Sequence, residues 1–230
     1  HSVTGYFLSE SSTTPSLDNF TSVTATDNYS ASLSFTLSSG DGAKTVYGWL
    51  RDTAGNIGGS ASDNISLDTT APTVSVGSPS DNHSNSGPVS YTVSYTGADN
   101  VTLVADNVTV TATGTAAAGS KSVSGTGTGS RTITLDNLTG NGALTVSIAS
   151  GTANDFAGNS APTASASDNI TVDNTAPSGL ALTVAGGDAY ATAQAVSLTL
   201  SGSDNHSVTG YFLSESSTTP SLDNFTSVTA

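Results

Sequence analysis

The chain has 230 residues and a formal net charge of −14, with 16 Asp and two Glu set against only Lys44, Arg51, Lys121 and Arg131. Neutralising phosphates takes clustered Lys and Arg, so nucleic acid and anionic membrane surfaces are poor partners. No cysteine is present, a pattern that fits many exported bacterial and archaeal chains, and no apolar run is long enough for membrane insertion of this segment.

The predicted elements are short strands throughout. Val3 to Leu8 is followed by a loop from Ser9 to Pro15. Ser32 to Leu37 alternates as SLSFTL, and Ser38 to Ala43 turns on its glycines. Thr45 to Arg51 carries the only tryptophan, Trp49. An Ala-Gly-Asn turn leads to Asn64 to Leu67. The next strands are Thr73 to Val76, Val89 to Tyr95, Val101 to Ala105, Val108 to Ala112 and Ser122 to Ser124. Arg131 to Leu135, Leu144 to Ile148 and Asn169 to Val172 follow, then Leu180 to Val184 and Ala195 to Leu200. Short period-two strands separated by regular turn signals read as a β-sandwich. Thr115 to Gly119 (TAAAG) is too short to nucleate a helix alone.

Two repeats organise these strands. His1 to Ala25 returns letter for letter as His206 to Ala230, an offset of 205 residues, so the chain reads as a window on a tandem array. Within that period, SASDNISLDTTAP (Asp63, Asp68, Pro72) returns as SASDNITVDNTAP (Asp168, Asp173, Pro177), an offset of 105. Three domains are therefore expected. Residues 1–68 are the C-terminal part of one, 69–173 a complete one, and 174–230 the N-terminal part of the next, of the same type as 1–68. The end pieces are expected to be completed by adjoining repeats of the same chain or by identical neighbouring chains in a filament.

Asp68-Thr-Thr-Ala-Pro72, Asp173-Asn-Thr-Ala-Pro177, the Asp52 to Asn56 and Asp155 to Asn159 turns, Val3 to Pro15 and Tyr47-Gly-Trp49 together resemble the bacterial Ig-like (Big-type) tandem repeats of large surface proteins and adhesins. The resemblance implies an all-β chain of tandem immunoglobulin-like β-sandwich domains in a long extracellular, cell-surface stalk. It implies no catalysis.

The excess of Asp over Glu suits turns and calcium ligation. In a sandwich of this kind the domain start, the second-to-third strand loop and the loop before the last strand lie at one end. That places Asp68, Asp99, Asn100, Asp155 and Asn159 together at one junction. Asp173, Asp204 and Asn205 meet at the next, with the turn supplied by text equivalent to Asp52 and Asn56. Ca²⁺ takes six to eight oxygens, and three acids gathered without Lys or Arg would repel one another unless a cation sat among them. The layout resembles the calcium-rigidified junctions of cadherins. The competing reading is that each Asp only makes an Asx turn.

Other constellations are thinner. Asp81-Asn-His83 and Asp204-Asn-His206 lack a nucleophile elbow or a base-orienting partner, so the chain is not expected to be an enzyme. Tyr47 and Trp49 could form a glycan- or protein-binding face of an adhesin module. Alternating aromatics on a strand are more often core.

Overall fold

The computed structural model describes residues 1–166 and 168–228. Ser167, in the recurring SASDN segment, and Thr229 and Ala230, at the end of the 25-residue repeat, lie outside them. Among the described residues there is no α-helix, only strands and four three-residue 3-10 turns. Val, Ile, Thr, Tyr and Phe alternating with Ser and Thr fit a pleated, half-buried surface. Among the described residues no helix is long and apolar enough to cross a membrane.

Residues 1–67 form one antiparallel sheet from β1 (Val3–Ser9), β2 (Thr21–Thr26), β3 (Gly42–Asp52) and β4 (Ala61–Leu67), in the order β2-β1-β3-β4. The central unit holds β5 (Thr73–Pro79), β6 (His83–Ser84), β7 (Val89–Thr96), β8 (Asn100–Val101) and β9 (Val108–Ala112). It continues with β10 (Ala117–Ser124), β11 (Ser130–Thr139), β12 (Gly142–Ile148), β13 (Ala153–Asn154), β14 (Ala164–Ser165) and β15 (Ile170–Val172). One of its sheets runs β10-β11-β7-β5. The other is centred on β12. There β9 takes one edge, β15 and β14 pair with successive parts of the opposite edge, and β6 runs parallel beside β15. The last part holds β16 (Ser178–Val184), β17 (Leu198–Ser203), β18 (Gly210–Tyr211) and β19 (Thr226–Ser227) in two separate hairpins.

Strand alternation builds the core. Along β7 the residues Val89, Tyr91, Val93 and Tyr95 are buried and those between them are not. Ile133 and Leu135 of β11, Leu144, Val146 and Ile148 of β12, and Ile170 and Val172 of β15 join them in one buried cluster. Both central sheets thus contribute to a single apolar interior. Burying each of these side chains is worth about 1.5–3 kcal/mol.

Tyr91 is fully buried, and its hydroxyl has no hydrogen-bond partner. Burial, reinforced by the charge of Asp168, pushes its phenol up to about 12. A raised acid is kept neutral by the fold, so stability is unaffected below the ordinary tyrosine value near 10 and falls as pH rises from there towards 12. Removing an unsatisfied buried hydroxyl relieves a cost of about 1–3 kcal/mol. Tyr91→Phe is therefore expected to melt at or above the parent temperature at neutral pH and to lose less stability between pH 10 and 12. A lower melting temperature for Tyr91→Phe at neutral pH would contradict the unpartnered hydroxyl.

The repeated text folds twice into the same local structure. In β1–β2, Gly5 faces Ser22 and Tyr6 faces Thr21; in β18–β19, Gly210 faces Ser227 and Tyr211 faces Thr226. Both copies carry a 3-10 turn at Leu-Asp-Asn, held by Asn19 Oδ1 or Asn224 Oδ1 accepting from the preceding serine. Phe7 and Phe20 lie 6.1 Å apart, and Phe212 and Phe225 lie 6.3 Å apart. What differs is burial: Phe20 is 8 % exposed and Phe225 44 %. In the first copy β3 pairs with β1 and lays Trp49 against Phe7, 5.9 Å between ring centroids. Among the described residues the second copy pairs only with itself, as the β18–β19 hairpin.

Several strand boundaries differ from those the sequence predicts. Ser32 to Leu37 forms no strand, because a β-strand needs a ladder partner and none lies beside it. Val101 to Ala105 is broken after Val101. A 3-10 turn at Ala105–Asn107 follows, where Asn107 Oδ1 accepts from the Val104 N–H at 3.0 Å. Ala195 to Leu200 is displaced to Leu198–Ser203. The weak strand expected at Ser122 to Ser124 runs from Ala117 and takes in Ala117 and Ala118. β2 and β6 were not legible in the alternation.

Candidate functional site

The Asp-x-Ala-Gly-Asn turn is built in the same way twice. Asp52 Oδ1 accepts from the Ala54 and Asn56 N–H groups at 2.9 and 2.8 Å, and Oδ2 accepts from Asn56 Nδ2 at 2.8 Å. Asp155 Oδ1 accepts from the Asn159 N–H and Oδ2 from Asn159 Nδ2, both at 2.9 Å. Gly55 and Gly158 take positive φ of 86° and 94°, which a side chain would strain. The Asn159 side chain and then N–H donors of the turn hold the Asp155 carboxyl below the usual carboxylate range, against some desolvation. Asn56 does the same for Asp52.

Around Asp155 the structure brings the predicted junction residues together. Asn159 Nδ2 also donates to the Asp68 carbonyl at 3.1 Å, tying the turn to the linker. Asp99 Oδ2 accepts from the Phe156 N–H at 2.9 Å, and the Asp99 N–H donates to the Asn154 carbonyl at 3.0 Å. Asn100 Nδ2 donates to Asn154 Oδ1 at 3.3 Å. Asp68, Asp99, Asn100, Asp155 and Asn159 thus sit in one hydrogen-bonded network. It is made by N–H donors facing carboxylates and carbonyls. Among the described residues no three His, Cys, Asp or Glu gather as they would around a metal ion.

The second junction is arranged differently. Asp173 Oδ1 accepts from the Thr175 N–H at 3.0 Å and from Asn205 Nδ2 at 3.1 Å. These two donors come first in holding the Asp173 carboxyl below its ordinary range, with His206 and the adjacent Asp204 carboxyl adding to the effect. Asp204 Oδ1 accepts from the His206 N–H at 2.9 Å, while Asp204 Oδ2 is shielded from solvent near the Asp173 carboxyl. Asp173 Oδ1 is thus taken up by N–H donors, and among the described residues no third acid joins Asp173 and Asp204. Asp52 and Asn56 lie at the other end of the chain, where the Thr53 N–H donates to the Ser2 carbonyl at 3.1 Å. Ser2 is the repeat equivalent of Ser207, three residues beyond Asp204.

Asp41 and Asn141 make a further pair of equivalent contacts that the longer repeats do not reveal. Asp41 Oδ1 accepts from the Thr69 N–H at 2.9 Å and from the Thr69 hydroxyl at 2.8 Å, and its other oxygen accepts from Thr70. Asn141 Oδ1 accepts from the Asn174 N–H at 2.7 Å, and its Nδ2 donates to the Thr175 hydroxyl at 2.9 Å. Each clamps the segment after β4 or β15 to the turn before β3 or β12. The signal is Gly-Asp-Gly at 40–42 and Gly-Asn-Gly at 140–142.

The aromatics of β1 and β3 pack on one another. Trp49 is 3 % exposed and packs against Phe7 and Tyr47, with Tyr47 6.0 Å away, and the Arg51 guanidinium lies over Phe20 at 5.6 Å. Comparison of the chain with protein-family models, curated proteins and solved structures finds no match.

Proposed function

We propose that this chain is a structural segment of tandem immunoglobulin-like sandwiches, part of a long extracellular cell-surface filament or adhesin stalk whose junctions are stiffened by calcium. The observation that carries the reading is one sheet plan used twice in one register. β12 pairs with β15 through Gly142–Val172 and Leu144–Ile170; β3 pairs with β4 through Gly42–Leu67 and Lys44–Ile65. β12 pairs with β9 through Ile148–Val108 and Ser147–Thr109; β3 pairs with β1 through Gly48–Leu8 and Tyr47–Ser9. The central orders β10-β11-β7-β5 and β9-β12-β15 parallel the ABED and CFG sheets of a constant-type immunoglobulin domain. Stacked copies of such a unit suit a quasi-one-dimensional array, in which each repeat meets only its neighbours. The buried Trp49 favours this over a glycan- or protein-binding face.

Calcium is favoured by the second junction. There the Asp173 and Asp204 carboxylates, backbone carbonyls and, once its amide turns from donating Nδ2 to Asp173, the Asn205 amide oxygen would hold the ion, whose charge would offset two neighbouring acids. At the first junction Asn159 Nδ2 already bridges the Asp68 carbonyl and Asp155 Oδ2. An ion bound to the folded state alone stabilises it by mass action, about 2.7 kcal/mol at a hundred times the Kd. Calorimetry of the chain in excess calcium is expected to show a higher melting temperature than in chelator, and Asp173→Asn with Asp204→Asn should abolish the difference. Identical melting curves with and without calcium would remove calcium from the account.

A further inference from the structure

We infer that this chain is an N-glycosylation acceptor, carrying oligosaccharide on the side-chain nitrogen of exposed Asp-Asn-x-Ser/Thr asparagines, with Asn82, Asn137 and Asn169 the sites in the central unit. The inference rests on the extracellular reading and names a covalent modification of that surface. The chain has eleven Asp-Asn pairs, and ten of them continue as Asn-x-Ser or Asn-x-Thr with no proline at x. Ser and Thr make up 77 of the 230 residues, so composition alone would give about four of eleven. An Asp-Asn turn asks nothing of the residue two places on, and strand alternation asks only that it be polar. Where the repeats differ, Ser and Thr exchange and the hydroxyl stays. Asn64-Ile-Ser66 returns as Asn169-Ile-Thr171, and Asn100-Val-Thr102 as Asn205-His-Ser207. The one pair without the hydroxyl is Asp173-Asn174. There the amide is committed to the fold, with Asn174 Nδ2 donating to the Gly140 carbonyl at 2.9 Å.

The central unit presents these groups as an acceptor needs them. In a strand, residues two apart share a face and the one between them takes the other. On β11, Asn137 and Thr139 are exposed and Leu138 between them is buried. Leading into β15, Asn169 is exposed, Ile170 is buried and Thr171 is half-buried. Asn82 is exposed at the entry to β6, two residues before Ser84. On β11 and β15 the apolar residue anchors the tripeptide in the core while the amide and the hydroxyl stay accessible. Among the described residues nothing hydrogen-bonds the side-chain amides of Asn82, Asn137 or Asn169. Asn100 and Asn107 differ: Asn100 Nδ2 donates to Asn154 Oδ1 at 3.3 Å, and Asn107 Oδ1 accepts from the Val104 N–H at 3.0 Å. The donor is an oligosaccharide carried on a lipid diphosphate. Asn Nδ2 attacks C1 of the first sugar, and the C1–O bond breaks with its electron pair leaving on the diphosphate. The amide gives up one proton to a base, and nothing is oxidised or reduced. The product is a bulky, solubilising group on the surface.

The purified, folded chain is incubated with a membrane oligosaccharyltransferase and a polyprenyl-diphosphate-linked oligosaccharide, and its peptides are mapped by mass spectrometry. The expected result is glycan on Asn82, Asn137 and Asn169 and none on Asn100 or Asn107. Thr139→Ala should lower occupancy at Asn137 at least tenfold and leave Asn169 unchanged, while Thr139→Ser retains it. The same peptides are then read from the full protein released by protease from intact cells of its source, where the same three asparagines should carry glycan. No transfer to the folded chain, occupancy at Asn100 or Asn107 in place of the three, or occupancy unaltered by Thr139→Ala would overturn the inference. Bare asparagines in protein released from the surface would overturn it and leave the stalk reading standing. Protein recovered only after lysis would remove the extracellular reading and the inference with it.

Discussion

Ile133→Ala should lower the stability of the central unit by about 2–5 kcal/mol, while Leu33→Ala at the equivalent position should cost less than about 1 kcal/mol in the same dilute chain. Ile133 sits on β11 between β7 and β10, in the buried cluster and with no exposure, so truncation leaves a cavity that its neighbours can only partly close. Leu33 occupies the same place in the strand pattern but has no opposing sheet, and its deleted methyls were already partly hydrated. For a unit of about 100 residues each kcal/mol moves the midpoint by about 4–8 °C. Calorimetry should therefore show the cooperative transition fall by at least about 8 °C for Ile133→Ala and by less than that for Leu33→Ala. Equal shifts would mean that the two positions have the same packing, and that the first piece is covered in solution.

Gly140→Ala is expected to be more damaging than a turn glycine usually is, and Gly40→Ala much less so. Both glycines sit one residue before the clamp, with φ of +75° and +88°. A left-handed conformation in a non-glycine residue costs about 1–3 kcal/mol by itself. At Gly140 an added Cβ would also run into the backbone carbonyl of Thr115, whereas at Gly40 nothing lies within 4 Å. Thr115 is held there by its own ladder: the Thr115 N–H donates to the Asn141 carbonyl at 2.8 Å, and Thr115 Oγ1 accepts from the Asn141 N–H at 3.0 Å. The segment cannot retreat without giving up both bonds. We expect about 3–5 kcal/mol for Gly140→Ala and about 1 kcal/mol for Gly40→Ala, read from chemical denaturation midpoints. A Gly140→Ala protein as stable as Gly40→Ala would show that the turn before β12 is not fixed by that close approach.

The all-β character was legible because alternation is a local property. Val89 to Tyr95 points every apolar residue to one side whatever its partner, and the structure buries all four. Local hairpins were legible for the same reason, which is why the repeated 25 residues make the same turn and the same pairing at both ends. The Ser32 to Leu37 strand was misread because a strand becomes one only when a neighbour supplies its ladder, and SLSFTL has the pattern without the neighbour. Of the junction residues, the Asp68 carbonyl, Asp99 and Asp155 are joined through hydrogen bonds. Their spacing could not show that Asn159 Nδ2, an N–H donor, would sit between two of the oxygens. The Asp41 and Asn141 clamps were hidden because a lone acid or amide in a glycine turn looks like an ordinary turn residue. Only the register of β3 on β4 and of β12 on β15 reveals that the two are equivalent.

The central claim is that the sheet of residues 3–67 and the β16–β17 hairpin are the two parts of one unit that recurs every 205 residues. Amide hydrogen exchange tests it most directly, comparing this chain at high dilution with a chain carrying two successive periods. In the longer chain the internal copies of Leu33 to Phe35 and of Val196 to Leu200 are continuous text and should be protected as strongly as Ile133 to Leu135 and Tyr91 to Tyr95. In the dilute 230-residue chain the same amides should exchange orders of magnitude faster, since opening them costs little. Equal protection of those amides in both chains, or fast exchange in both, would contradict the claim.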